Sequence, residues 1–123
     1  MKICITSLGN NLDSEVDPRF GRCRYFIVVD SDTSEFEVIE NLNIAGRGGV
    51  GIQSAQLVSN KGVEVVLTGN TGPNAYQTLK AAQIEVITGV SGKIKEVIEK
   101  FKKGEYKSTS GPSVDAKFGQ MKP

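Results

Sequence analysis

The chain reads as one α/β domain in which a β-hairpin is followed by strand–helix units, giving a mixed sheet with helices packed on it. Three observations predict this. The apolar run Tyr25-Phe26-Ile27-Val28-Val29 is joined by the short polar link Asp30-Ser31-Asp32-Thr33-Ser34 to Phe36-Glu37-Val38-Ile39, which is hairpin patterning. The segments VEVVLTG and IEVITG resemble one another, and each precedes a glycine turn and a helix, as parallel strands with crossover helices require. Two glycine-rich turns, one starting at Ala45 and one at Gly69, each open straight into helical sequence.

In chain order, residues 2–6 alternate as a first strand, with Ile3 and Ile5 on one face and Cys4 on the other. A polar loop over residues 7–22 holds Asn10-Asn11, Asp13, Asp17-Pro18 and Gly21. The run at 25–29 is a strand buried on both faces. After the hairpin, the turn Ala45-Gly46-Arg47-Gly48-Gly49-Val50-Gly51 leads into a helix over 51–61, closed by Gly62. Residues 63–67 form the next strand. The turn Gly69-Asn70-Thr71-Gly72-Pro73-Asn74 then starts a helix with Pro73 near its first position, where the missing N–H costs little. Its apolar stripe is Ala75, Leu79 and Ala82. After a strand at 84–87, the last helix carries Ile94, Val97, Ile98 and Phe101 at i, i+3, i+4 and i+7, and Gly104 ends it. Glu96–Lys100 and Glu99–Lys103 add charge pairs in the favourable order. Residues 105–123 lack periodicity and read as a mobile tail.

Composition narrows the function. The 123 residues include 15 basic and 14 acidic side chains, so there is no cationic surplus of the kind that grips nucleic acid. No apolar run approaches a membrane span, and MKICITSLG is no signal peptide, so a cytoplasmic protein is expected. With no histidine, a Ser-His-Asp triad and a histidine-based zinc site are excluded. The acids form no clear catalytic pair. Asp13, Glu15 and Asp17 sit at alternate positions in one loop and could hold a hard cation, although a solvated acidic loop is the plainer account. A binder or carrier is expected rather than an enzyme.

Three stretches carry binding chemistry. The turn from Gly46 to Gly51 satisfies GxGxxG, but no acid ends the next strand, as a dinucleotide site would want, and a P-loop's Lys-Ser/Thr is missing. A flexible linker would also account for it, yet Gly48, Gly49 and Gly51 would let a ligand approach the backbone closely. Gly72 and Asn74 lie in the second turn, beyond the carboxyl end of a parallel strand, where α/β sheets gather ligands. Helix capping explains the same residues, and both can hold. In the loop Asp17-Pro18-Arg19-Phe20-Gly21-Arg22-Cys23, Arg19 and Arg22 supply planar donors for anions. Their charge would favour the Cys23 thiolate, a soft ligand for iron or iron–sulfur clusters. The plainer alternative is a small buried cysteine beside solvated arginines. Cys4 reads as inert core.

Taken in order, MKICITS, FGRCRYFIVVD, the Gly46–Gly51 turn with GIQSAQL, GVEVVLTGNTGPNAYQTLKAAQIEV and a last helix ending FKKGE resemble the dinitrogenase iron–molybdenum cofactor biosynthesis family. The resemblance spans residues 1–106 as a single domain, leaving 107–123 as a flexible tail. It implies a ribonuclease H-like three-layer fold, with a mixed five-stranded sheet and helices on both faces, and no nuclease activity. It also implies a binding or carrier role for an iron–sulfur-type or iron–molybdenum-type cluster or its precursor, with cofactor-assembly proteins as partners. Family members often carry a histidine immediately before Phe-Gly-Arg; here Arg19 stands there. On this resemblance Cys23 is the candidate metal ligand, with Arg19, Gly21, Arg22, Gly48, Gly49, Gly51, Gly72 and Asn74 around the cluster. A module that binds a small anion or nucleotide without a metal is the alternative.

Overall fold

A computed structural model describes residues 1–42, 49–109 and 111–112. Its elements run β1 (Lys2–Ser7), β2 (Tyr25–Asp30), β3 (Phe36–Glu40), α1 (Val50–Asn60), β4 (Val65–Leu67), α2 (Pro73–Ala81), β5 (Glu85–Ile87) and α3 (Ile94–Lys102). The strands form one five-stranded sheet in the order β3-β2-β1-β4-β5. β2 is antiparallel to both neighbours, while β4 is parallel to β1 and β5 is parallel to β4. The expected mixed sheet is therefore present, and β1 lies at its centre.

Alternation along the strands divides the core in two. Cys4, Phe26, Val28, Val66 and Val86 point to the face covered by α1 and α2, where Ala55, Val58, Ala75 and Leu79 meet them. Ile3, Ile5, Ile27, Val29, Val65, Leu67 and Ile87 point to the other face, under Ile94, Val97 and Ile98 of α3. Helices thus cover both faces. Fully buried side chains such as Leu79 and Ile94 each stabilise the fold by about 1.5–3 kcal/mol relative to exposure.

β4 and β5 start later than the expected 63 and 84, because each preceding helix captures an amide from the incoming chain. The Val63 N–H donates to Val58 O at 3.4 Å and the Ile84 N–H to Leu79 O at 2.9 Å, closing Schellman turns. The left-handed residue in those turns is Gly62 (φ 78°) after α1 but Gln83 (φ 63°) after α2. α3 ends in the same way at Gly104.

The ordered chain also runs past residue 106. Tyr106 packs against the α3-side core, and the Thr109 N–H donates to Val86 O. Tyr106, Ser108 and Thr109 therefore contact the folded body, the last two along the otherwise bare edge of β5. The rest of the expected tail, residues 110 and 113–123, lies outside the described residues.

Candidate functional site

Every parallel strand points its carboxyl end the same way, so the loops after β1, β4 and β5 emerge on one rim of the sheet. The loop after β1 is pinned there by a carboxylate that sequence reading left on the surface. Asp17 is fully buried. Its Oδ1 accepts the Arg19 N–H at 3.1 Å and its Oδ2 the Arg24 N–H at 3.2 Å, so one side chain spans the segment that bears Arg22. The Arg19 Nε lies 3.9 Å from the same carboxylate. Main-chain atoms of Asp17 are held in turn: its N–H donates to Thr6 O, and its carbonyl accepts the Thr6 hydroxyl at 2.7 Å. The Thr6 hydroxyl also lies 2.8 Å from that of Thr68, joining β1 to the end of β4. Asn41, buried after β3, donates to the carbonyls of Gly21 and Cys23, both at 2.9 Å.

This loop rests on the second glycine turn. The Phe20 N–H donates to Asn70 O, and Asn70 Nδ2 to Pro18 O. Phe20 enters the core edge-on to Phe26, with centroids 5.9 Å apart. Gly69 lets the two backbones touch: a Cβ there would stand 2.6 Å from Pro18 Cα and 2.8 Å from Pro18 O.

Two helix starts meet beside the loop. A Cβ on Gly51 would lie 3.1 Å from Ala75 Cβ and 3.8 Å from Ala75 N, so the first turns of α1 and α2 are in direct contact. Neither has a side-chain cap or an acid in its first turn. α3 differs, since the carbonyls of Leu12 and Ser14 take the Lys95 and Ile94 amides at 2.9 Å. First-turn N–H groups and like-signed partial charges therefore lie side by side at α1 and α2, next to an arginine-bearing loop, and that arrangement favours an anion.

The predicted residues divide by role. Arg19 and Arg22 are partly exposed on the pinned loop. Gly49 and Gly72 are the N-cap positions of α1 and α2; Gly49 has φ 75° and open space beyond its Cα. Asn74 is exposed in the first turn of α2. Gly48 lies outside the described residues, as do Gly46 and Arg47. Gly21 and Gly51 have a packing role. Gly21 (φ 62°) sits so close to α1 that its Cβ would meet Gly51 Cα at 3.1 Å, and Gly51 in turn admits Ala75. Gly51, the described glycine of GxGxxG, serves loop-to-helix and helix-to-helix contact. Sequence reading missed Asp17, Asn41, Thr6 and Thr68. Only Asp17 carried a signal, because an Asp before Pro commonly folds back onto nearby backbone amides.

Cys23 requires a correction. The expectation was an arginine-activated thiolate facing a guest, but the side chain is fully buried in the core between the sheet and α1–α2. Burial pushes its pKa well above the usual thiol range, with Cys4 and Asp17 adding to the rise, and the opposing effect of Arg19 is weaker. Burial raises the Cys4 thiol as well. Neither cysteine should react with a water-soluble disulfide reagent in the folded protein, and both should react in denaturant; rapid native labelling of Cys23 would contradict its burial. The same shift sets a pH dependence. The unfolded thiol ionises near its ordinary value of 9.0, whereas the folded one keeps its proton. The unfolded state then binds fewer protons, so stability is full below that pH and falls as pH rises above it. Urea melts between pH 7 and 10 should show the midpoint falling, and a Cys4→Ala/Cys23→Ala variant should show a shallower fall.

Among the described residues, no group of three or more His, Cys, Asp or Glu side chains could hold a metal ion, and no helix is long and apolar enough to cross a membrane. The described rim presents hydrogen-bond donors and positive charge rather than a ligand set.

Comparison with known proteins agrees with this architecture. The apo orange protein of Desulfovibrio gigas has a similar structure, with TM-score 0.89 and 37% identity over 92% of this chain and 96% of that one. A putative NifB protein from Thermotoga is also similar, with TM-score 0.78 and 36% identity over 92% and 98% of the two chains. An uncharacterized protein of Methanocaldococcus jannaschii is 37% identical over 108 residues, which is 85% of this chain and 88% of that protein. Residues 1–104 match the dinitrogenase iron–molybdenum cofactor family, and the chain belongs to that family.

Proposed function

We propose that this protein binds or carries an anionic iron–sulfur-type or iron–molybdenum-type metallocluster, or a precursor of one, as cargo during cofactor assembly. The observation that carries the reading is the contact of the α1 and α2 amino termini at Gly51 and Ala75, uncapped by any first-turn acid, beside the loop that bears Arg19 and Arg22. Family membership supplies the cofactor class. The guest is held by main-chain N–H groups and guanidinium donors, with Arg19, Arg22, Gly49, Gly72 and Asn74 around it. Its own sulfide or solvent ligands stay in place, since Cys23 is sealed. Such a guest exchanges readily, as a carrier needs, and its partners are cofactor-assembly proteins in the cytoplasm. The strand order, with only β2 reversed, suits the ribonuclease H-like class, used here as a scaffold without catalysis.

Anoxic reconstitution with iron, sulfide and molybdate, followed by metal analysis of the reisolated protein, tests the proposal. We expect bound metal in the wild type and equal uptake by Cys23→Ala. Loss of uptake in Cys23→Ala would restore the thiolate ligand and overturn the donor-only description. Wild-type protein that stays colourless and metal-free, yet binds phosphate or a nucleotide, would favour the regulatory anion-binding module. The burial of the cysteine already suits that second reading, because such a module needs no thiol.

A further inference from the structure

The segment after α3 lies beyond the region that matches the family, and it reaches the rim. At Ser108 and Thr109 the chain runs beside β5 in the strand's own direction. Ser108 Oγ donates to Glu85 Oε2 at 2.8 Å, and one residue later the Thr109 N–H donates to Val86 O at 2.6 Å. At the carboxyl end of β5 three hydroxyl-bearing residues form a clasp. The Thr88 N–H donates to Thr109 Oγ1 at 2.9 Å, the two threonine hydroxyls lie 2.8 Å apart, and Tyr76 Oη donates to Thr109 O at 3.2 Å.

Both sides of the clasp lead to the rim. Tyr76 stands in the first turn of α2, where its own N–H donates to Gly72 O at 3.0 Å. Thr88 precedes Gly89, whose N–H donates to Gly69 O at 2.8 Å, and Gly69 is the residue that touches Pro18 beneath Arg19. A continuous set of hydrogen bonds and close backbone contacts therefore joins Thr109 to both halves of the anion-directed surface.

We propose that residues 105–109 form a latch whose docking on β5 and Tyr76 is linked to anion occupancy of the rim. The proposal rests on the rim reading above. A docked latch holds the α2 amino terminus and the loop after β4 in the arrangement that presents the donors. An anion that needs this arrangement favours the docked state, and by linkage the docked state favours the anion by the same factor.

The test uses the full chain, with orthomolybdate as probe. Saturating molybdate should slow amide exchange at Thr88 and Thr109 by about fivefold, at the low end of typical site-to-site coupling. Thr109→Val keeps the backbone bond to Val86 and removes the hydroxyl contacts, so it should weaken molybdate binding by about the same factor. Tyr76→Phe removes a single, part-buried hydrogen bond and keeps the ring, which keeps the test available if the first variant fails to fold; its loss should be smaller and in the same direction. Unchanged exchange under saturating molybdate, or wild-type affinity in both variants, overturns the latch and leaves the rim reading standing. A wild-type protein that binds no molybdate overturns both.

Discussion

Changing Arg19 and Arg22 together to methionine should weaken molybdate binding about a hundredfold, while the melting temperature falls by only a few degrees. A hydrogen bond to a charged group contributes about 1.5–3 kcal/mol, and the partial exposure of both arginines argues for the lower end, about tenfold each. Methionine keeps much of the aliphatic volume, so packing over the loop changes little. The fold should survive because Asp17 still accepts the amides of residues 19 and 24, and those bonds involve no arginine side chain. Titration calorimetry at several salt concentrations checks this. The wild type should lose affinity steeply with salt and the double variant much less, because the removed contacts are the ionic ones. Equal affinity and equal salt dependence in the two proteins would show that the anion, if bound, rests elsewhere.

The largest structural effect is expected at Gly69. A methyl group there collides with Pro18 Cα and O, at 2.6 and 2.8 Å, and these are backbone atoms that cannot rotate aside. Gly69→Ala should therefore push the arginine-bearing loop away from the loop after β4. Overpacking of this kind costs about 1–3 kcal/mol, and the upper end lowers the melting temperature of a domain this size by about 10 °C. Molybdate affinity should fall with it, since Arg19 rides on Pro18. Gly49→Ala is the control. It faces open space at φ 75°, so it costs only the left-handed strain of about 1–2 kcal/mol and leaves the loop in place. Differential scanning calorimetry measures both costs, and a Gly69→Ala protein as stable as wild type would mean that the contact yields freely.

The glycines show where sequence reading stops. Gly51 looked like a place for a ligand to approach the backbone, and it is in fact, like Gly69, a place where another part of the same chain does so. Sequence cannot separate these uses, because a missing side chain leaves room for either. Cys23 follows the same logic. Two arginines nearby in the chain suggested an activated thiolate, but the direction of a side chain in a loop depends on what the loop docks against. Here Asn41, eighteen residues further on, holds the Cys23 carbonyl at the loop's inner side. Asp17 was misjudged for the opposite reason, since an acid among polar residues looks solvated until its bonds to backbone amides are seen.

Local patterning alone determined the hairpin, the strand–helix repeats, the helix faces and the family, since these depend on periodicity, turn residues and motif order within short windows. Only the tertiary structure decided which glycines face solvent, which cysteines are sealed, that α1 and α2 begin in contact, and that Ser108 and Thr109 meet the edge of β5. Each of those outcomes depends on contacts between residues far apart in the chain, and their energies are set by burial and close approach, which neighbouring sequence does not encode.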